Sequence, residues 1–331
     1  MLFTFGVSDD GKSNIRPDAQ GNMQFYAEGA CNVLGSIDLG SARPIPHVLY
    51  GPNAAQPPLR LPAKPQLVFN QIAEADSHRT ALERCVTLCK QLDVPVINDP
   101  GRVLKTTRDS VSGLLQGIDG LQVPKVLRCA PVSPGDVFRI AAEQELPFPF
   151  LVRSVGEHNG RNMVLVKSGQ DHDRLHRFPY DGSELYLVEF IDFADANGHY
   201  HKHRIAMVDG KPYLRHSLYD KTWMVHADSL QYMKEHDPEG DQLGQLHHVE
   251  QEVLPELEPV IAEIDRRLGL DHYGLDFGIG PDKRMILFEA NANMNILAIG
   301  LKALVPRVRK VSAAISAMIQ ARLRGDGMRR Y

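Results

Sequence analysis

The stretch YGLDFGIGPDKRMILFEANANMN, residues 273–295, decides the fold of this chain. It contains two β-prone runs, 273–280 and 284–290, in which Tyr, Phe, Ile and Leu are frequent. The residues between them, Gly280-Pro281-Asp282-Lys283, favour a turn and cannot continue either strand. The pattern therefore predicts a β-hairpin.

The register of this hairpin follows if Gly280 pairs with Met285 across a four-residue loop. Asp276 then lies directly opposite Glu289. Successive side chains of a strand point to opposite faces, so the sequence also predicts what each face carries. The apolar face is expected to hold Leu275, Phe277, Ile279, Ile286, Phe288 and Ala290, and the other face Gly274, Asp276, Gly278, Glu289 and Asn291.

The polar face of the hairpin predicts a cation site formed by Asp276, Glu289 and Asn291. Carboxylates directly opposite each other on a sheet repel at Cβ separations of about 4.5–5.5 Å, so a positive group is expected beside them. Two carboxylates and an amide, without His or Cys, are the oxygen ligands that suit Mg²⁺ held partly by phosphates. A solvated surface hairpin is the alternative, and the pattern by itself leaves both interpretations open.

The hairpin resembles the metal-binding core of the ATP-grasp superfamily, in which an acidic residue, a Glu and an Asn two positions later hold Mg²⁺ against nucleotide phosphates. The spacing of Asp276, Glu289 and Asn291 is similar to that of D-alanyl-D-alanine ligases and glutathione synthetases. The phrase FEANANM is close to the motif of many members. The resemblance covers residues 65–300 and implies an α/β (α+β) chain, with an ATP-grasp fold preceded by a small parallel α/β domain.

Composition narrows the class of protein and its partners. A chain of 331 residues with 43% hydrophobic and 24% charged residues is long enough for two or three packed units and carries no sign of disorder. A formal charge of −4 gives no electrostatic reason to expect nucleic acid or an anionic membrane as a partner. No apolar run approaches the roughly 18 residues that span a bilayer, and the N-terminus lacks the basic region of a signal peptide. A cytoplasmic protein is therefore expected.

Three units are predicted along the chain. A strand, a helix and a further strand between residues 67 and 98 indicate a parallel α/β unit with its loops at the carboxyl ends of the strands. The resemblance identifies it as a pre-ATP-grasp domain, residues 1–102. It also implies a small nucleotide-binding subdomain over residues 103–198 and a large subdomain with the metal hairpin over residues 199–331.

A glycine-containing loop between two strands is a candidate phosphate site. Gly156 and Gly160 let backbone N–H groups approach phosphate oxygens, although glycines in an ordinary hairpin turn explain the same pattern. The resemblance favours the phosphate site, because Arg153 occupies the place of the Lys that precedes the phosphate flap of the family. Arg108 is likewise expected at the nucleotide, near Ser110, where members have a further Lys. An Arg offers a bidentate fork where a Lys offers a point charge.

The segment LYLVEFI resembles the hinge strand whose backbone pairs with the adenine edge in this family. The resemblance implies that Glu189, Phe190 and Ile191 bind the adenine side of ATP. It assigns the ribose hydroxyls to Asp192 or Asp195. From the residues alone, a buried strand with one exposed Glu is the alternative.

The segment HYHKHR, residues 199–204, places three histidines on one face of a strand and Lys202 with Arg204 on the other. Three histidines on one face also suit a zinc site. The resemblance favours the other face, because it places Arg204 on the triphosphate side. Arg215, on the partner strand, is similar to a further basic residue near the phosphoryl acceptor, or else a surface Arg. Arg204 and Arg215 are the predicted catalytic residues.

The resemblance implies an enzyme that uses ATP and Mg²⁺, with two metal ions expected. Such a ligase activates a carboxylate as an acyl phosphate and joins it to an amine or another nucleophile, releasing ADP and phosphate. The expected partner is then a small molecule or peptide with a carboxylate. Whether the chain forms a homodimer is left undecided by the sequence. The alternatives are an ATP-grasp kinase that phosphorylates a small molecule, a nucleotide-binding module with reduced catalysis, and a metal-binding protein without a nucleotide.

Overall fold

A computed structural model describes most of the chain. The described residues are 1–12, 14–17, 20, 22–31, 33–157, 160, 162–236, 242–292, 295–296 and 304–326. The middle of the predicted loop at 156–160 and two positions of the 273–295 stretch lie outside them.

The N-terminal unit is built on a parallel four-stranded sheet. Its elements in chain order are β1 (Leu2–Gly6), the hairpin β2 (Asn14–Pro17) and β3 (Met23–Tyr26), a 3₁₀ turn (Leu34–Ser36), β4 (Ile45–Leu49), β5 (Val68–Asn70), α1 (Arg79–Leu92) and β6 (Val96–Ile97). The sheet order is β4-β1-β5-β6, with all pairs parallel. Helix α1 buries one apolar stripe that includes Leu82 and Cys85. The predicted parallel α/β unit is confirmed.

A second sheet is antiparallel and has four strands, one fewer than the third sheet. It follows three short elements, α2 (Pro100–Val103), α3 (Arg108–Leu115) and β7 (Leu121–Gln122). Its own elements are β8 (Val126–Cys129), α4 (Pro134–Glu143), β9 (Phe150–Ser154), β10 (Val164–Val166), a 3₁₀ helix (Gly169–Arg177) and β11 (Leu185–Glu189). The strand order is β10-β9-β11-β8. Side chains such as Phe150, Val152 and Leu187 form a core that is separate from that of the N-terminal unit.

The third sheet is the largest and has the order β13-β12-β14-β15-β7. Its strands are β12 (Tyr200–Val208), β13 (Lys211–Asp220), β14 (His272–Ile279) and β15 (Met285–Asn291), with β7 added parallel to β15. The helices beside it are α5 (Ser229–His236), α6 (Gln242–His248), a π-helical turn (Val249–Val253), α7 (Leu254–Glu256), α8 (Glu258–Leu268) and α9 (Val305–Leu323). No helix in the described ranges has both the length and the apolar character needed to cross a bilayer.

Prolines and a glycine set the limits of the helices before β14. Pro255 and Pro259 each stand in the first turn of a helix, where no intrahelical hydrogen bond is lost. Gly269 ends α8 in the left-handed conformation with φ of 63°, which an L side chain would find strained. The chain then enters β14 directly.

Asn98 fixes β14 against the N-terminal sheet. This residue has φ of 54°, and its Oδ1 accepts the backbone N–H groups of Asp271 at 2.9 Å and His272 at 3.0 Å. Its Nδ2 donates to the His272 carbonyl at 2.8 Å. All three residues are buried, so these bonds lie away from water and hold the start of β14 in a defined place.

The 273–295 hairpin forms with the predicted Asp276–Glu289 pair but not with the predicted loop. Asp276 is opposite Glu289, whereas Ile279, rather than Gly280, is opposite Met285. The loop is tighter because Lys283 takes φ of 64° and the Gly280 N–H donates to the Arg284 carbonyl at 2.9 Å. Such a type I turn with a left-handed residue after it closes hairpins with three-residue loops. The expected four-residue loop is therefore wrong.

A bulge in β15 restores the predicted pairing, and it moves two side chains to the other face. Asp276 pairs with Glu289 but Phe277 pairs with Leu287, so Phe288 is an extra residue. The apolar face is consequently Leu275, Phe277 and Ala290 with Met285 and Leu287, all in the main core. Ile286 and Phe288, which were expected on that face, instead line the cavity described below. The predicted α/β fold class is otherwise confirmed.

Candidate active site

A cavity of about 1040 Å³ lies between the small antiparallel sheet and the large sheet. The predicted site residues line it, apart from Gly156, which borders a small adjoining pocket, and Asp192. Its polar and charged lining includes Arg108, Arg153, Glu189, Lys202, Arg204, Arg215, His216, Asp276, Glu289 and Asn291. The structure thus brings together residues that lie up to 183 positions apart in the chain, from Arg108 to Asn291.

A row of four residues crosses the floor of this cavity. Strand pairing places His216 opposite Arg204, Arg204 opposite Asp276 and Asp276 opposite Glu289. Directly opposed residues point to the same face of a sheet, so all four side chains are on the cavity side. Asn291, two residues after Glu289, shares that face.

Asp276 is held by two cationic side chains. Its carboxylate accepts a bidentate pair of hydrogen bonds from Arg204, at 2.6 Å and 2.7 Å, and Lys202 Nζ lies 3.3 Å away. Asp276 is only 2% exposed. Burial by itself raises the pKa of Asp276, but the charges of Lys202 and Arg204 lower it more, so the net pKa lies well below the usual range. The carboxylate is ionised at neutral pH.

Glu289 is held by a third cation. Arg108 Nη2 lies 2.5 Å from Glu289 Oε1, and Arg108 Nη1 donates to the Phe288 carbonyl at 3.2 Å. Asn291 Nδ2 donates to the same Glu289 oxygen at 2.7 Å. The positive groups expected beside the two opposed carboxylates are therefore present as Arg204, Lys202 and Arg108.

The oxygen atoms at this end of the row fit a hard cation. Asp276 and Glu289 supply carboxylate oxygens at neighbouring positions. Asn291 Oδ1 is buried and accepts no hydrogen bond within the described part of the chain. A buried carbonyl oxygen without a donor is costly unless a ligand meets it, and carboxylate and amide oxygens are what Mg²⁺ prefers.

Arg153 and the glycine loop lie over the end of the cavity that holds Arg108 and Glu289. The Arg153 side chain is buried and donates to the Glu157 carbonyl within the loop. Burial, and next the charge of Arg108, lower the pKa of Arg153 to about 10, which leaves the guanidinium charged at neutral pH. Gly156 and Gly160 have φ of 76° and 66°, so both require the freedom of glycine. The two residues after Glu157 lie outside the described ranges.

The far end of the glycine loop approaches a second segment over the cavity. A Cβ atom added to Gly160 would lie 3.7 Å from Met224 Sδ and 3.9 Å from His226 Cδ2. Trp223, in the same segment, packs edge-on against Phe190 with ring centroids 5.8 Å apart. The loop and residues 223–228 therefore border the cavity together, between the hinge and the large sheet.

The predicted hinge residues divide between the cavity and the surface. Glu189, Phe190 and Ile191 line the cavity, and Glu189 Oε2 accepts the Lys125 backbone N–H at 2.9 Å. Asp192 is exposed, and its carboxylate caps the backbone N–H of Ala194 at 3.2 Å. The structure does not bring Asp192 into the cavity, although its neighbours Ile191 and Phe193 line it.

The HYHKHR segment uses its two faces differently. Lys202 and Arg204 point into the cavity, while the histidines lie on the opposite face. His201 Nε2 is 3.1 Å from Asp195 Oδ2, and His199 Nε2 is 3.2 Å from the Tyr232 hydroxyl. The zinc alternative requires ring nitrogens of all three histidines within reach of one ion, and among the described residues they do not converge in this way.

Arg215 lies beside the row, at a bulge in the β12–β13 pairing. Arg204 pairs with His216 and Ile205 with Leu214, which leaves Arg215 as the additional residue. Its side chain is 2% exposed, lines the cavity and donates to the Ile296 carbonyl. Burial, and next the charge of Arg204, lower the pKa of Arg215 to about 10. The surface alternative for Arg215 is wrong.

Several cavity residues carried no assigned role in the sequence. Lys202 and His216 share the face of Arg204, and strand alternation was a sufficient signal for Lys202. Phe288 contacts Phe193, two residues after the predicted hinge segment, with ring centroids 4.7 Å apart. No sequence signal marks Phe288, because only the bulge turns it toward the cavity.

Comparison with known proteins gives a fold. No protein-family model and no curated protein sequence matches the chain. The D-Ala:D-Ser ligase VanG from Enterococcus faecalis is similar in structure, with a TM-score of 0.53, 13% identity and 98% of each chain covered. A RimK domain ATP-grasp protein from Sphaerobacter thermophilus shares 17% identity over 84% of this chain and 90% of its own, with a TM-score of 0.49. The chain has the ATP-grasp fold.

A further similar structure is the D-alanine-D-alanine ligase from Coxiella burnetii, with 13% identity, 80% of this chain and 68% of that chain covered, and a TM-score of 0.46. Scores below 0.5 add nothing to the fold assignment. At these identities the similarity concerns the fold and not the activity. The predicted ATP-grasp resemblance is confirmed at that level.

Proposed function

We propose that this ATP-grasp chain is an ADP-forming ligase that phosphorylates a substrate carboxylate with ATP and joins the acyl group to an amine. The observation that carries the proposal is the row Arg204, Asp276 and Glu289 on the cavity floor, with the unpaired Asn291 Oδ1 beside it. A solvated hairpin does not need a buried carboxylate such as that of Asp276, or a buried carbonyl without a donor among the described residues.

The charge balance around the row supports a polyphosphate ligand. Five cationic side chains, Arg108, Arg153, Lys202, Arg204 and Arg215, and the two carboxylates of the row leave a surplus of three positive charges at this end of the cavity. Phosphoryl transfer depends on positioned positive charge rather than on covalent help from the protein. Three of the five cations already contact a carboxylate, so the phosphates would find them positioned.

Asp276, Glu289 and Asn291 would hold Mg²⁺, which would supply positive charge against the negative charge that develops on the phosphates during transfer. The side chains around them orient the substrates. Arg204 and Arg215 lie on the side of the row away from Glu289, where the phosphorylated carboxylate would sit. Arg153 donates a hydrogen bond to the glycine loop. From there it would contact the phosphates on the side opposite the cavity floor.

We propose the same three units that the sequence predicts: residues 1–102, 103–198 and 199–331. The separate core of the small sheet supports a second unit that moves as one body over the cavity. Val111, Leu115 and Leu121, however, pack in the larger core with the third sheet. In this proposal the moving part begins after β7.

A trapping assay tests the proposed function. The purified chain is incubated with Mg-ATP, hydroxylamine and each of the 20 amino acids and a panel of dipeptides, and ADP and hydroxamate are measured. A ligase gives both with at least one carboxylate, because hydroxylamine attacks an acyl phosphate. The Glu289→Gln variant should give neither. ADP with a stable phosphorylated product and no hydroxamate would indicate a kinase instead.

A further inference from the structure

His216 occupies the end of the cavity-floor row. It lies on β13 directly opposite Arg204 and is half-buried in the cavity wall. Neighbouring strands are about 4.8 Å apart, so His216 stands about 10 Å from Asp276 across the sheet. It is therefore beyond the predicted metal ligands and beyond the arginine that would face the transferred phosphoryl group.

The other titratable groups of the cavity already have partners or cannot accept a proton. The arginines and Lys202 are donors only. Asp276 and Glu289 hold cations, and Glu189 accepts the Lys125 N–H. His226 Nδ1 accepts the Asp228 N–H at 3.1 Å. The Asp228 carboxylate is 92% exposed at the rim.

His216 differs from all of them. Within the described ranges its imidazole makes no hydrogen bond, although it lies in a wall crowded with donors. Four charged groups face it: Lys202 and Arg204 from β12, Asp276 from β14, and Arg215 on its own strand. A neutral imidazole with an available lone pair is a base in a place where no other base is available.

We propose that His216 accepts the proton of the attacking amine when the acyl phosphate is converted to an amide. This inference rests on the proposed ligase function. In the step, the amine nitrogen forms a bond to the acyl carbon, and the bond from that carbon to the phosphate oxygen breaks. Phosphate leaves with the electron pair, and the proton passes from nitrogen to an imidazole nitrogen of His216.

The surroundings of His216 keep its imidazole neutral before substrates bind, and they also make it a weak base until the cations around it are neutralised. Burial, and next the charge of Arg204, lower the pKa of His216 to about 3, so the imidazole is neutral when the amine arrives. Bound phosphates would neutralise the cations that face it, which favours the imidazolium just when the proton must be taken up. The imidazolium then lies beside the leaving phosphate and can return the proton to it.

The test compares two nucleophiles in the His216→Gln variant, which keeps a polar side chain of similar size but not a base. The first is hydroxylamine, which is largely neutral near pH 7.5 and whose adduct loses its proton to water without help. The second is each of the 20 amino acids, whose amines attack in the neutral form and whose more basic nitrogen holds the remaining proton more tightly after attack. In both assays the substrate carboxylate is the one that gives the most hydroxamate with the wild-type chain. His201→Gln, on the opposite face of β12, is the matched control.

We expect His216→Gln to form hydroxamate within about threefold of wild type and to lose at least about 10²-fold in amide formation, the usual size of a general-base contribution. His201→Gln should keep both products. Equal loss or equal retention of both products in His216→Gln would overturn the inference, provided that Mg-ATP raises its melting temperature as it does for wild type. If that variant does not fold, His216→Asn replaces it under the same criteria.

Two wild-type results separate this inference from the function on which it rests. Hydroxamate without amide from any of the 20 amino acids would overturn the role of His216, because the acceptor would not be an amine of this class. No hydroxamate with any carboxylate would overturn the ligase function itself.

Discussion

Replacing Arg204 with Ala should affect both stability and ADP release, because this side chain joins the cavity floor to the proposed phosphate site. In the structure Arg204 makes both of its short bonds, 2.6 Å and 2.7 Å, to Asp276. The carboxylate side chain is 3% exposed and the guanidinium 20% exposed. The substitution leaves a buried carboxylate with Lys202 as its remaining cationic partner, at 3.3 Å.

The size of the stability effect follows from this geometry. Removing one partner of a buried ion pair costs about 3–5 kcal/mol. Lys202 remains, and the cavity admits water to the space that the guanidinium leaves, so we expect the lower end, about 3 kcal/mol. At about 2 °C per kcal/mol in a large unit, the melting temperature should fall by about 6 °C. In the double variant with Asp276→Asn the fall should be smaller, since no charge is then left unpaired.

The effect on turnover is estimated separately. A charge-assisted contact to a phosphate is worth about 1.5–3 kcal/mol, so ADP release should fall by about 10- to 150-fold. Arg204→Lys keeps the positive charge but cannot form the bidentate contact of a guanidinium. Its rate of ADP release should therefore lie between those of wild type and Arg204→Ala. Activity is measured at 20 °C as ADP release, with circular dichroism to show that each variant is folded at that temperature.

His201→Ala is the control that separates the two faces of β12. His201 is partly exposed and bonds Asp195 on the opposite face, so its removal should change stability by no more than about 0.5 kcal/mol and leave ADP release unchanged. The argument is refuted if Arg204→Ala releases ADP at the wild-type rate. If His201→Ala instead loses both its activity and one equivalent of bound zinc, the result would support a zinc site on the histidine face of the HYHKHR segment.

Three further predictions follow from the same site. Glu289→Gln and Asn291→Ala should abolish ADP release while circular dichroism stays unchanged, because in the proposed site the polar face of the hairpin would bind the metal and it does not form the core; wild-type turnover in either would disprove the metal site. Peptides spanning residues 153–163 should gain protection from hydrogen exchange on addition of Mg-ATP, and equal protection without it would mean that the loop is only a turn. The pKa of Asp276 is depressed in the folded state, so its contribution to stability is present above the unfolded pKa of about 3.9 and is lost as the pH falls toward the folded pKa. The stability difference between wild type and Asp276→Asn should therefore shrink in urea titrations between pH 5 and pH 2, and a constant difference would contradict the ion pair.

The hairpin shows how far pattern reasoning extends and where it stops. Alternation predicted the Asp276–Glu289 pair, and the pair forms, although the loop is one residue shorter than expected and β15 has one extra residue. The two deviations cancel at this pair. They do not cancel for Ile286 and Phe288, because period-two alternation assumes a regular strand and a bulge reverses the faces between it and the turn.

The remaining site could be predicted only as residue types and not as neighbours. Arg108 reaches Glu289 across 181 positions, and His216 becomes the neighbour of Arg204 only through the sheet order β13-β12-β14-β15. Sheet order depends on the packing of the whole core, and a local pattern does not contain it. The resemblance supplied Arg204 and Arg153, since family motifs carry spatial information that a single sequence otherwise lacks. It misplaced Asp192, whose side chain turns to the surface after the hinge.

If the proposed function holds, the ion pairs of the cavity floor couple the binding of the metal to that of the nucleotide. Arg108 holds Glu289, and Lys202 with Arg204 holds Asp276, so a metal ion must loosen these pairs to reach the carboxylates. Without a nucleotide, each displaced cation would be left in a partly buried cavity beside a new positive ion, which is unfavourable. With a nucleotide, the displaced cations would contact phosphate groups in place of the carboxylates. The affinity for each should therefore increase when the other is present, by the same factor in both directions. The cations that pair with Asp276 and Glu289 would then be the ones that contact the phosphates.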